Sequence, residues 1–140
     1  MSPDVQIAID ADDPHMLNRF WAAVMGYEVE DHHDQATQVL DAGYATVDDT
    51  VEIDGRRAWK TAAACRATSG RGVRLLFQHV PEAKSVKNRV HLDLHVGTED
   101  RDAEVARIVG LGATHLWDGQ QGPQTWVTLA DPEGNEFCVA

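Results

Sequence analysis

The sequence predicts an α+β protein made of two tandem βαβββ units, and three observations carry that prediction. Residues 5–31 read as strand, helix, strand; the stretch from Val90 repeats the reading; and each copy is followed by two further strand-like segments. With 140 residues, the chain can bury a real core within a single domain and needs no disulfide or metal staple. The expected organisation is one domain over 1–140, with module one at about 4–80, a linker at about 81–88 and module two at about 89–140.

In the first copy, "VQIAIDA" (5–11) alternates Val5, Ile7 and Ile9 against Gln6, Ala8 and Asp10, the period of a half-buried strand. Asp13 is placed to cap a helix that has Pro14 at its first position. Leu17, Phe20, Trp21 and Val24 then fall at i, i+3, i+4 and i+7, and Gly26 ends the helix. A second strand is expected from Tyr27 to Asp31. The polar stretch "DQATQVLDAGYATVDDTVEIDG" reads as a short helix near Gln35–Asp41 followed by an irregular loop. "AWKTAAACRA" and, after the turn signal "SGRG", "GVRLLFQHV" complete the copy as strands.

The second copy follows the same order. Its opening strand lies in "NRVHLDLHV" (88–96), with Thr98 as the expected helix cap and Glu99 and Asp100 in the first turn. Val105, Ile108 and Val109 form the expected apolar stripe, Gly112 the stop, and Ala113–Trp117 the next strand. "QTWVTLADP" and "GNEFCVA" follow, separated by the turn "DPEG", in which Gly134 is expected to supply a positive φ. Overlaid, Val5 meets Val90, Gln6 meets His91, Ile7 meets Leu92 and Ile9 meets Leu94, as two copies of one supersecondary unit would.

Composition narrows the partners. A formal net charge of −11 argues against nucleic acid and anionic membrane surfaces, which require clustered Lys and Arg. The charge suits a cationic ligand, or serves solubility alone. Cys65 and Cys138 are far apart in apolar contexts and are expected to be free thiols in a reducing compartment. The start "MSPDVQIAID" lacks a basic and then apolar leader, and no run approaches ~18 apolar residues, so the expectation is a cytoplasmic protein.

The richest chemistry lies in "NRVHLDLHV". Strand alternation puts His91, Asp93 and His95 on one side, with Val90, Leu92, Leu94 and Val96 on the other. Residues two apart are ~6.7 Å apart at Cα, so His91 and Asp93 can work together; His91 and His95, at ~13 Å, cannot share an ion. His91 beside Asp93 reads as a catalytic acid–base pair, since a carboxylate fixes the imidazole tautomer and proton abstraction next to a carbonyl becomes feasible. The competing reading is a wet strand face whose residues merely hydrogen-bond. His95 reads as a cavity-wall donor or a satisfied polar residue. Trp126 and Trp59 could each form an aromatic wall, or core.

The segments "DPHMLNRFWAAVMGYEV", "HLDL" and "DPEGNEFCV" resemble the vicinal oxygen chelate superfamily, which includes glyoxalase I, extradiol dioxygenases and the bleomycin- and fosfomycin-resistance proteins. "LLFQHVPEAKSVKNRVHLDL" is similar to a glyoxalase-like subfamily common in actinobacteria. The resemblance implies two βαβββ modules forming a cupped mixed sheet around a small-molecule ligand, and a homodimer. It also implies metal-ligand positions on the first and last strands of each module. Carried over, those positions are Gln6 and His91, then Cys138, seven residues after Asp131, and Phe77, with His79 on the same face. Gln6, His91 and Cys138 could hold Zn²⁺ or Ni²⁺, yet amides are weak ligands and a thiol in an apolar strand is commonly core, so a metal is not favoured. The implied activity is that of a lyase or isomerase; the alternative is a metal-independent drug- or metabolite-binding protein of the resistance type. Gln6, Phe77, His79, His95, Trp126 and Cys138 are the expected ligand-binding residues.

Overall fold

Alternating small apolar residues make β1 (Gln6–Ala11) a strand, and the Asp13 side chain then starts helix α1 (Pro14–Met25) by accepting a hydrogen bond from the Met16 N–H at 3.0 Å. Leu17, Phe20, Trp21 and Val24 on one face of α1 are all buried, and the rings of Phe20 and Trp21 meet edge to face at 5.6 Å. The computed structural model describes residues 1–140, which divide into two compact units, Met1–Pro81 and Glu82–Ala140.

In the first unit β2 (Glu28–Val29) follows α1, then helix α2 (His33–Asp41), a single 3₁₀ turn (Val47–Asp49), and strands β3 (Thr50–Ile53), β4 (Arg56–Trp59), β5 (Ala62–Arg66) and β6 (Arg74–His79). One sheet has the order β1-β6-β5-β2, with β1 and β6 parallel and the other pairs antiparallel. Helix α1 covers it by packing on β5 and β6, which supply Ala63, Cys65, Leu75 and Phe77 to the core. The expected strand at Tyr27–Asp31 shortens to two residues.

The stretch expected to be an irregular loop is instead a hairpin, β3–β4. Asp54 (φ 50°) and Gly55 (φ 76°) make its two-residue turn, a conformation that Asp-Gly reaches at little cost. Consequently Trp59 belongs to the hairpin, not to the sheet strand that begins at Ala62. The hairpin is tied to α2 by polar contacts: the Arg57 N–H donates to His33 Nδ1 at 2.9 Å, Arg57 Nη1 to Thr37 Oγ1 at 3.0 Å, and Trp59 Nε1 to Gln35 Oε1 at 3.0 Å.

Just past β2, Glu30 gathers three basic groups. Its carboxylate accepts from Arg74 (Nε 2.6 Å, Nη2 3.0 Å), from Arg66 Nε at 3.1 Å and from His32 Nε2 at 3.2 Å. Burial alone would raise its pKa, but the hydrogen bonds from Arg74, His32 and Arg66 outweigh it and hold the group at about 2 against an ordinary 4.5. A depressed carboxylate pKa stabilises the fold fully above about pH 4.5, and that stabilisation drains away as the pH falls towards 2. Glu30→Gln is therefore expected to lose about 3 kcal/mol at pH 7 and to flatten the acid limb of the stability profile. Denaturant midpoints from pH 7 down to pH 2 check this; a variant with an unchanged acid limb would refute it.

The second unit repeats the order. It contains β7 (Leu92–Leu94), α3 (Arg101–Leu111), β8 (Thr114–Gln121), β9 (Gln124–Ala130) and β10 (Glu136–Val139). Its sheet order, β7-β10-β9-β8, again sets the first strand parallel to the last. Each half is thus a βαβββ unit of the same topology, the first carrying α2 and the hairpin as an insertion. Two local expectations shift here. The strand of 88–96 contracts to 92–94, and α3 starts at Arg101 with Asp100, not Thr98, as its cap residue because the Asp100 N–H turns back to the Gly97 carbonyl at 3.2 Å. Of the expected α3 stripe only Ile108 is fully buried, and Val109 is 40% exposed.

Candidate functional site

Parallel pairing of β7 with β10 sets Cys138 opposite Asp93, and alternation brings His91 to the same side. His91 Nδ1 lies 3.2 Å from Asp93 Oδ1, so the ring donates its N–H to the carboxylate and keeps Nε2 as a free acceptor. One donor atom each from His91, Asp93 and Cys138 lie within 4.8 Å of one another. The His91 and Asp93 side chains are 43% and 53% exposed, which leaves them open to a ligand and makes their mutual hydrogen bond worth little to stability.

Cys138 is half-buried, and Sγ meets Thr128 Oγ1 at 3.5 Å. Burial and the neighbouring Asp93 carboxylate push its thiol pKa up, while Thr128 and Lys87 pull it down less strongly. It is therefore a neutral thiol at pH 7 and not an intrinsic nucleophile.

The first unit treats its corresponding positions differently. Gln6 pairs with Arg74 across β1–β6, and its amide oxygen accepts a hydrogen bond from Arg74 Nη1 at 2.5 Å. A metal held by that oxygen would sit beside a guanidinium. The counterpart of Cys138 by strand register is Leu76, opposite Ala8, rather than Phe77; Phe77 corresponds to Val139, and both are fully buried. Phe77 is thus core, and neither Leu76 nor Phe77 carries a metal donor. His79 ends β6, exposed, with Nδ1 donating to the Asp12 carbonyl at 2.9 Å.

His95 is exposed just beyond β7. Trp126 is half-buried and lies across the β8–β9 ladder from Gly119, where a Cβ would overlap the indole, so the ring covers the backbone of its neighbouring strand. The Glu30 network escaped the sequence reading altogether, because its arginines lie 36 and 44 residues away.

The donor set that fits a metal is therefore His91, Asp93 and Cys138, all in the second unit. Two ligands on a tetrahedral Zn²⁺ lie ~3.3–3.8 Å apart, so side-chain rotation would need to close the trio by roughly 1 Å. Cys138 would have to give up a proton that its surroundings retain, so affinity would rise with pH.

The glyoxalase-like domain model matches residues 6–140. The chain belongs to this family. Among solved structures it is similar to a glyoxalase/bleomycin resistance protein/dioxygenase family enzyme from Burkholderia phytofirmans PsJN, at 16% identity and TM-score 0.62 over 96% of this chain and 94% of that one. A fosfomycin resistance protein, FosX, from Listeria monocytogenes, solved as a variant with Mn(II) and 1S,2S-dihydroxypropylphosphonic acid, gives 12% identity and TM-score 0.63 over 99% and 89%. The oxidase ChaP-H2 gives 16% and 0.60 over 99% and 91%. These identities establish the shared glyoxalase/bleomycin-resistance fold and no particular activity. Among curated proteins none matches the chain by sequence.

Proposed function

We propose that this glyoxalase-like protein binds a small organic molecule in the cup of its sheet, against the exposed face of β7, and acts on it as a lyase or isomerase, with His91 and Asp93 as the catalytic pair. The observation that carries this is the meeting of an imidazole, a carboxylate and a thiol on two paired strands. Asp93 holds the His91 ring with Nδ1 protonated, so Nε2 is the atom that takes a proton from a carbon next to a carbonyl. As the imidazolium forms, the Asp93 carboxylate stabilises it, and the same proton can be returned to another atom of the substrate. Cys138, a neutral thiol, contributes a weak hydrogen bond at the base of the site. Were Zn²⁺ bound by His91, Asp93 and Cys138, it would supply Lewis-acid polarisation of the substrate oxygen.

A second reading, a metal-independent binder of a drug or metabolite in the manner of resistance proteins, is favoured by the first unit. There Arg74 occupies the Gln6 oxygen and Leu76 stands where the second unit has Cys138. Proton exchange in D₂O separates the two. With hydroxyacetone and related α-hydroxy carbonyl compounds, the enzyme reading expects loss of the α-proton signal above the buffer rate. A saturable shift of the His91 ring resonances without exchange would support the binder, and neither effect across the panel would remove the site.

A further inference from the structure

Strand register extends the site across the second sheet. Asp93 pairs with Cys138, Cys138 with Thr128 and Thr128 with Trp117, so the strands give one row of side chains on one face. A β-bulge between His115 and Trp117 makes this possible. Strict alternation would keep Trp117 on the side of His115, which pairs with the core residue Leu129; the inserted residue turns it over to the side of Cys138. The same bulge leaves His115 and Asp118 together on the opposite face, where His115 Nε2 meets Asp118 Oδ1 at 2.8 Å.

The row has the profile of a trough. Asp93 is exposed at one end and Trp117, 46% exposed, at the other, while Cys138 is half-buried and Thr128 only 3% exposed between them. The ends stand three strand spacings apart, ~14 Å between Cα atoms. Beside Trp117, the Trp126 indole lies over the backbone of Gly119, so two indoles form the far bank. Trp117 itself stacks on no other ring. On this face β8 and β9 present Thr114, Trp117, Gly119, Gln121, Gln124, Trp126, Thr128 and Ala130, none of them charged. A molecule lying in the trough thus meets polar, titratable groups at one end and an uncharged aromatic surface at the other.

We infer that Trp117 is a specificity-determining residue that stacks on an aromatic ring of the ligand, which is therefore an aryl-substituted carbonyl compound with its oxygenated end at His91 and Asp93. An aromatic ring suits a free indole better than an aliphatic one, because offset or edge-to-face contact adds to area burial. The inference rests on the site proposed above and names the ligand class for it.

1-Hydroxy-4-phenylbutan-2-one, its cyclohexyl counterpart and hydroxyacetone form the test panel. The phenyl compound should shift the Trp117 indole N–H resonance saturably, at a half-saturating concentration about tenfold below that of hydroxyacetone and about threefold below that of the cyclohexyl compound. The cyclohexyl comparison is stringent, since that ring is the more apolar of the two. Trp117→Ala, at an exposed position, should fold and lose the preference for phenyl over cyclohexyl, and Trp117→Phe should keep it. No saturable indole shift, cyclohexyl binding as tight as phenyl, or an undiminished preference in Trp117→Ala would overturn the assignment. Phenyl-selective binding without α-proton exchange would support the stacking role and refute the acid–base role of His91, so the two readings fail separately.

Discussion

His91→Asn is expected to slow α-proton exchange by ~10²–10⁴-fold, the usual contribution of one positioned general base. Asparagine is a stringent replacement here. Its amide N–H can still donate to Asp93, so the hydrogen bond seen at 3.2 Å has a substitute, but no atom of the side chain can accept a proton near neutral pH. The stability of the variant should stay within about 0.5 kcal/mol of the parent, because the pair is roughly half exposed and surface pairs contribute little. A catalytic role therefore predicts a large rate loss with an intact fold, whereas a wet strand face that merely hydrogen-bonds predicts an intact fold with unchanged exchange. Asp93→Asn should give a smaller loss that arises through the tautomer: an amide can present its N–H to Nδ1 and leave the proton on Nε2, where it blocks the base. Exchange rates followed by NMR, with thermal unfolding of the same samples, decide the matter. Unchanged exchange in His91→Asn would end the acid–base assignment.

Local rules reached far into this chain and stopped where strand pairing begins. Alternation alone separates exposed His91, Asp93 and His95 from half-buried Leu92 and Leu94, and helical spacing alone marks the buried face of α1. Cys138 was found by counting from Asp131 because a defined turn sits between them: Asp131 Oδ1 accepts from the Glu133 and Asn135 N–H groups, both at 2.9 Å, and fixes where β10 starts. The first unit enters its last strand through "SGRG" with no such anchor, so overlay of the two copies put the counterpart of Cys138 at Phe77, one residue beyond Leu76, which the strand register gives. The hairpin was legible in principle, since Asp54–Gly55 between two strand-like runs is a strong turn signal. Polarity hid it, because Glu52, Arg56 and Arg57 interrupt the apolar pattern. Glu30 was not legible. Its partners come from β5 and β6, and only the sheet order β6-β5-β2 brings them to it.

Phe77→Ala is expected to destabilise the first unit by ~3–5 kcal/mol, the largest loss of stability of any single substitution argued here. Phe77 is fully buried on β6, an interior strand, with Ile9 beside it on β1 and Ala63 beside it on β5. Ala63 has no side chain to move into the space, and α1 closes the sheet on β5 and β6 with Trp21 and Leu17, themselves 2% and 0% exposed. Such a site cannot collapse around the cavity, and the cost approaches the upper end of the large-to-small range. Leu76→Ala, one residue earlier on the half-buried face, should cost less than half as much. The comparison discriminates between two roles for residue 77. A ligand-cavity wall would lose affinity at little cost in stability, whereas a core residue loses stability first. Amide hydrogen exchange across β1, β5 and β6 resolves the effect to this unit, and protection in Phe77→Ala equal to that in Leu76→Ala would place the ring outside the core.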